Sequence, residues 1–66
     1  MTTAQSELTP RIGKVATREL ALQGITAYRH LTTRTAKELL AIHGVGPKAV
    51  RILEEELAAR GQSLSG

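Results

Sequence analysis

The sequence predicts an all-α domain, a compact bundle of four to five short helices, and three observations carry that expectation. Aliphatic residues recur at helical spacing, and no stretch alternates polar with apolar as a half-buried strand does. Helix starts and stops are punctuated in a consistent order: Thr-Pro, then Gly, then Thr-x-x-Glu, then Gly-Pro, then Gly again. The 41% hydrophobic fraction comes almost wholly from Ala, Leu, Ile and Val, with one Tyr and neither Phe nor Trp among 66 residues. A chain this short buries only about 60% of the surface its unfolded form exposes, so its margin of stability is thin. It has no Cys, which removes disulfides and thiolate metal sites. Two His alone do not build a structural zinc site, and no cofactor is expected.

The elements follow in order. Residues 1–8, polar and without periodicity, read as a flexible tail that leaves 9–64 as the domain. Thr9 reads as an N-cap and Pro10 as the first helical residue, where a missing amide hydrogen does no harm. From there Ile12, Ala16 and Leu20 recur every fourth residue with Val15 and Leu22 beside them, a helix from Pro10 to about Gln23. Arg11, Lys14 and Arg18 fall on its other side. Gly24 caps the end and Ile25 folds back onto the last turn. Thr26 is expected to cap one short turn burying Tyr28 or Leu31. Thr35 and Glu38 form a capping-box pattern leading into Leu39, Leu40 and Ile42, a helix to about His43. Pro47 opens the last helix, with Val50, Leu53 and Leu57 inward and Ala49 and Ile52 alongside. Glu56 and Arg60 make an i,i+4 pair, Gly61 stops the helix, and residues 62–66 trail onto the surface. Laying Ile12–Leu20 over Val45–Leu53 matches five of nine positions in kind, Gly13 with Gly46 among them. Such a pseudo-repeat implies that both helices are entered through glycine.

The candidate site is "IHGVGPKAV", Ile42 to Val50. A corner this tight between two helices needs positive φ or close backbone approach, which Gly44 and Gly46 supply, while Val45 points inward to lock it. Beyond it the first amides of the Pro47 helix lack intrahelical partners and carry the positive end of the helix dipole. Lys48 adds a full charge, and Gly46, with no β-carbon, lets an anion approach the backbone.

The stretch "LLAIHGVGPKAVRIL" resembles the helix-hairpin-helix motif, a glycine, hydrophobic, glycine turn followed by a basic residue and alanine; Gly44, Val45, Gly46, Lys48 and Ala49 match it. From about Leu8 to Leu64 the chain further resembles the C-terminal domain of the bacterial RNA polymerase α subunit, with "LQGITAYRHL", "ELLAIHGVGPKAV" and "LAARGQSL" in register without a gap. That resemblance implies a SAM-like helical fold whose first helix packs on the hairpin, both helix starts facing DNA backbone across the minor groove. The family's hairpin glycine and lysine correspond to Gly46 and Lys48. Where the family carries its minor-groove arginine stands Val15, where it carries an asparagine stands Arg18, and Ala49 replaces a serine. The implied contact is therefore to phosphates rather than to base edges.

The formal charge is +3 with pI ≈ 10.0, and residues 1–34 hold five Lys/Arg against two Glu. This suits a polyanion. No apolar run approaches the roughly 18 residues that span a membrane, and a cytoplasmic monomer is expected. No paired carboxylates, no nucleophile with its base and no ligand cluster point to an enzyme. Weak duplex DNA binding through Gly44, Val45, Gly46 and Lys48, assisted by Lys14, Arg18, Arg11 and Arg51, is the leading expectation. The alternative is a protein-interaction module, with the acidic run Glu54–Glu56 as the feature to watch.

Overall fold

A computed structural model of the chain describes residues 7–65. A 3-10 turn over Pro10–Ile12 is followed by α1, Lys14–Leu22; α2, Tyr28–Leu31; α3, Ala36–Leu40; and α4, Pro47–Ala59. There is no strand among the described residues, so the all-α expectation holds. The radius of gyration, 10.7 Å, is close to the roughly 11 Å of a compact chain this long. No helix of the described residues is long and apolar enough to cross a membrane.

The run expected as one helix from Pro10 is split at Gly13. Gly13 takes φ +93°, which only glycine adopts cheaply, and its amide closes the 3-10 turn on the Pro10 carbonyl at 2.9 Å. Thr9 caps that turn, its Oγ1 accepting from the Arg11 amide at 3.2 Å. A new helix then begins, the Thr17 amide and hydroxyl both donating to the Gly13 carbonyl at 3.1 and 2.8 Å. The four-residue recurrence runs through the break because Ile12, Ala16 and Leu20 all pack on the same core. Gly13 and Gly46 are the N-caps of α1 and α4, neither with a side-chain cap.

Both glycine stops form as expected. Gly24 and Ile25 donate to Ala21 and Leu20, each at 2.9 Å, and Gly61 and Gln62 to Ala58 and Leu57 at 3.0 and 2.8 Å, the paired bonds of a Schellman ending. The short second helix buries both Tyr28 and Leu31, but Thr26 does not cap it. The N-cap position is Ala27, one residue later, and the acceptor is the ring of His30, whose Nδ1 receives the amides of Thr26 and Ala27 at 3.1 and 3.2 Å. Thr35 and Glu38 make their capping box, at 2.9 and 3.1 Å. Their helix ends at Leu40 rather than His43, since the Ala41 and Ile42 amides close on Lys37, Glu38 and Leu39 and Gly44 turns the chain at φ +86°.

Every helix contributes to the core. Leu20, Ile25, Leu31, Leu39, Leu53 and Leu57 are its fully buried side chains, and Ala16, Val45, Ala49, Val50 and Ile52 are buried around them. Val15 and Leu22 are not in it; they stay 51% and 72% exposed. They share one angular position on α1, more than a quarter-turn from the Ala16 and Leu20 stripe. At the ends two expectations are corrected. Leu8 is buried and the Glu7 amide donates to the Thr26 carbonyl at 2.6 Å, so chain expected in the tail belongs to the fold. Residues 1–6 and Gly66 lie outside the described residues. Leu64 packs on the core and the Ser65 amide donates to the Arg34 carbonyl at 2.8 Å, which ties to the fold a segment expected only to trail onto the surface.

Polar staples finish the frame. The Tyr28 hydroxyl accepts from the Thr9 amide at 2.9 Å, while the Arg60 guanidinium stacks over the Tyr28 ring, 4.0 Å from its centre, a cation–π contact. Arg60 also reaches Glu56 at 2.9 Å, the i,i+4 pair expected from the sequence.

Candidate nucleic-acid interface

The corner between α3 and α4 is built by two glycines that do different things. Gly44 has positive φ, and a β-carbon there would lie 2.7 Å from Val15 Cγ1 and 3.1 Å from Glu19 Cγ. Its bareness lets α1 pack against the corner. Gly46 is extended, at φ −105° and ψ 179°, so any residue fits its backbone, and a β-carbon there would meet nothing within 4 Å. The fold itself places no demand on glycine at 46. Sequence reasoning gave both glycines the same conformational role; only Gly44 has it. Val45 between them is buried, its amide bonded to the Ile42 carbonyl at 3.1 Å.

Past the corner, the Val50 amide is the first of α4 to find a carbonyl, that of Gly46 at 3.1 Å. Among the described residues no acceptor pairs with the amides of Gly46, Lys48 or Ala49, and Pro47 has none to offer. Three N–H groups therefore remain for solvent or a ligand at the positive end of a 13-residue helix. The α1 start has the same pattern: the amides of Lys14, Val15 and Ala16 lack partners, and Thr17 is the first to bond.

The expected basic residues divide into three situations. Lys48 is exposed, belongs to no ion pair among the described residues, and lines one hollow with Arg11, Ile12, Gly44, Gly46, Ala49 and Ile52. Arg51, also unpaired, stands one turn further along the outward stripe of α4. Arg11 shares the Lys48 hollow, but its guanidinium already holds Glu55 at 3.4 Å and Glu56 at 3.2 Å. That pairing, invisible in sequence because 44 residues separate Arg11 from Glu55, clamps the 3-10 turn to α4. Lys14 and Arg18 line a different hollow with Leu8, Pro10, Gly13, Thr17 and Ala21. The two hollows lie on either side of the first turn of α1, where Val15 meets Gly44.

The acidic run is mostly engaged. Glu56 lies between Arg11 and Arg60, and the hydrogen bond from Arg60 is the main reason its carboxyl sits below the ordinary carboxylate value; desolvation opposes it, while the charge of Arg60 and the hydrogen bond and charge of Arg11 add smaller lowerings. Glu55 pairs with Arg11, and Glu54 belongs to no ion pair. His43 is exposed one residue before Gly44. Comparison with protein-family models, with curated proteins and with solved structures gives no match to this chain.

Proposed function

We propose that the domain is a non-enzymatic, weak and largely sequence-independent binder of duplex DNA, a relative of helix-hairpin-helix domains. The observation that supports this reading is the row of unpartnered amides at Gly46, Lys48 and Ala49, on a face left open because residue 46 has no side chain. A phosphate seats there, with the Lys48 ammonium neutralising it and Arg51 reaching a neighbouring phosphate on the same strand. Arg11 turns part of its charge toward Glu55 and Glu56, so its contribution is small. Lys14 and Arg18 add attraction from the α1 side. Val15 and Ala49 offer no hydrogen bond to a base edge, so affinity follows backbone geometry and salt rather than sequence. With only a few phosphate contacts, dissociation constants of roughly 10⁻⁴ to 10⁻⁶ M are expected.

Fluorescence anisotropy of a labelled duplex, titrated at several salt concentrations, tests this reading. The expected result is a straight line of log affinity against log salt with a slope of about −2 to −3, one unit per phosphate neutralised. No anisotropy change at the lowest salt, or affinity independent of salt, contradicts it. Scrambling the duplex sequence is expected to leave the curve in place.

A further inference from the structure

We propose that the groove beside α1, lined by Leu8, Pro10, Gly13, Lys14, Thr17, Arg18 and Ala21, docks an acidic segment of a partner protein that carries an apolar side chain between its carboxylates. This goes beyond DNA binding: it gives Lys14 and Arg18, which that reading uses only for added attraction, a partner of another class at a hollow separate from that of Lys48. The floor of the groove is apolar. Leu8, the Pro10 ring and the Ala21 methyl supply it, and the Thr17 hydroxyl is engaged at 2.8 Å with the Gly13 carbonyl, so Thr17 presents its methyl. Gly13 adds no side chain, and a β-carbon there would meet nothing within 4 Å.

Charge decides the occupant. Among the described residues Lys14 and Arg18 are the charged groups of the lining, both cationic and one helical turn apart, and no carboxylate lines the groove. Among the described residues Lys14 belongs to no ion pair, and Arg18 pairs only with its neighbour Glu19, at 3.9 Å. Their β-carbons are about 6 Å apart, a spacing met by carboxylates three or four residues apart on a helix, or two apart on an extended chain. Phosphates alone satisfy the cations but leave the apolar floor in contact with water. A segment bearing both carboxylates and an aliphatic side chain covers the two together, with the cation stems lying along its apolar part.

The probe is a synthetic peptide with leucines flanked by glutamates four apart, titrated into the ¹⁵N-labelled protein. Shifts are expected at the amides of Lys14, Thr17, Arg18 and Ala21, with Gly46 and Lys48 unmoved. Reversing both cations, Lys14→Glu with Arg18→Glu, is expected to weaken the peptide about tenfold or more. Peptides with Glu→Gln or Leu→Ala weaken comparably, and these test the point without altering the protein. The proposal is overturned if the peptide leaves those four amides unmoved, or if the Gln peptide binds as well. It also fails if duplex DNA moves them and the peptide does not, or if dilution of the protein alone moves them, which assigns the groove to a second copy.

Discussion

Exchange of one hydrogen for a methyl group at Gly44 or at Gly46 separates the fold from the binding face. In Gly44→Ala the residue must hold φ +86°, which costs an ordinary L-residue about 1–2 kcal/mol. The new β-carbon also arrives 2.7 Å from Val15 Cγ1. Val15 is β-branched and in a helix, where one rotamer dominates, so moving it aside adds about 0.5–1.5 kcal/mol. The sum, about 1.5–3.5 kcal/mol, is large against the roughly 3–10 kcal/mol expected of a 66-residue domain. In Gly46→Ala the backbone is extended and the methyl meets open space. A slightly poorer N-cap is offset by reduced freedom of the unfolded chain, and stability changes by no more than about 0.5 kcal/mol. The methyl instead stands in the open space a phosphate must enter to reach those amides. Losing one hydrogen bond to a charged group removes about 1.5–3 kcal/mol, or roughly 10- to 150-fold in affinity. Urea denaturation followed by circular dichroism measures the first quantity and duplex anisotropy the second. The reasoning is refuted if Gly46→Ala unfolds the domain, if Gly44→Ala leaves it untouched, or if Gly46→Ala keeps full affinity.

Four further outcomes are expected. Lys48→Ala leaves the urea midpoint in place and reduces the salt slope of duplex binding by about 0.9, one phosphate contact; an unchanged slope removes Lys48 from the site. Leu53→Ala, at a fully buried position, costs about 2–5 kcal/mol, so thermal melts should show much of the chain unfolded at 37 °C, and a native-like melt contradicts the assigned core. His30→Ala removes the acceptor of the Thr26 and Ala27 amides and lowers stability by about 1 kcal/mol; His30→Gln, whose amide oxygen reaches back in the same way, recovers part of it. Because the folded Glu56 carboxyl titrates below its ordinary value of 4.5, its stabilising contribution is full above that pH and is lost as pH falls through the lower folded value. Glu56→Gln should therefore flatten the acid limb of stability against pH, and identical limbs refute the Arg60–Glu56–Arg11 arrangement.

What the sequence revealed was local chemistry. Thr35 with Glu38, Pro47, Gly24 and Gly61 each bond to chain within a few residues, so spacing alone located the caps and stops. Periodicity also named Leu20, Leu53 and Leu57, because a stripe repeated over several turns has one interior. It failed on Val15 and Leu22, which lie beside that stripe on a helix too short to bury more than one side. Periodicity missed the break at Gly13, which only the pseudo-repeat hinted at, because the residues on both sides of it pack on one core. Leu8 and Leu64 were missed since a single leucine in polar surroundings has no period, and what buries them is distant chain. The His30 cap had a faint signal, an acceptor three residues into a short helix, where glutamate or glutamine is the commoner choice. At the candidate site, the corner and its open amides were legible from the Gly-Val-Gly-Pro order. The pairing of Arg11 with Glu55 and Glu56 and the separation of Lys14 and Arg18 into another groove depend on tertiary packing.

The central claim is that the bare start of α4 receives a phosphate, and a residue-resolved NMR titration with a short duplex at two salt concentrations tests it most directly. The account predicts shifts concentrated at the amides of Gly46, Lys48 and Ala49, shrinking as salt rises and weakened in Lys48→Ala. Amides at that corner that stay in place while Glu54 to Glu56 move, or a spectrum unchanged at low salt, contradict it.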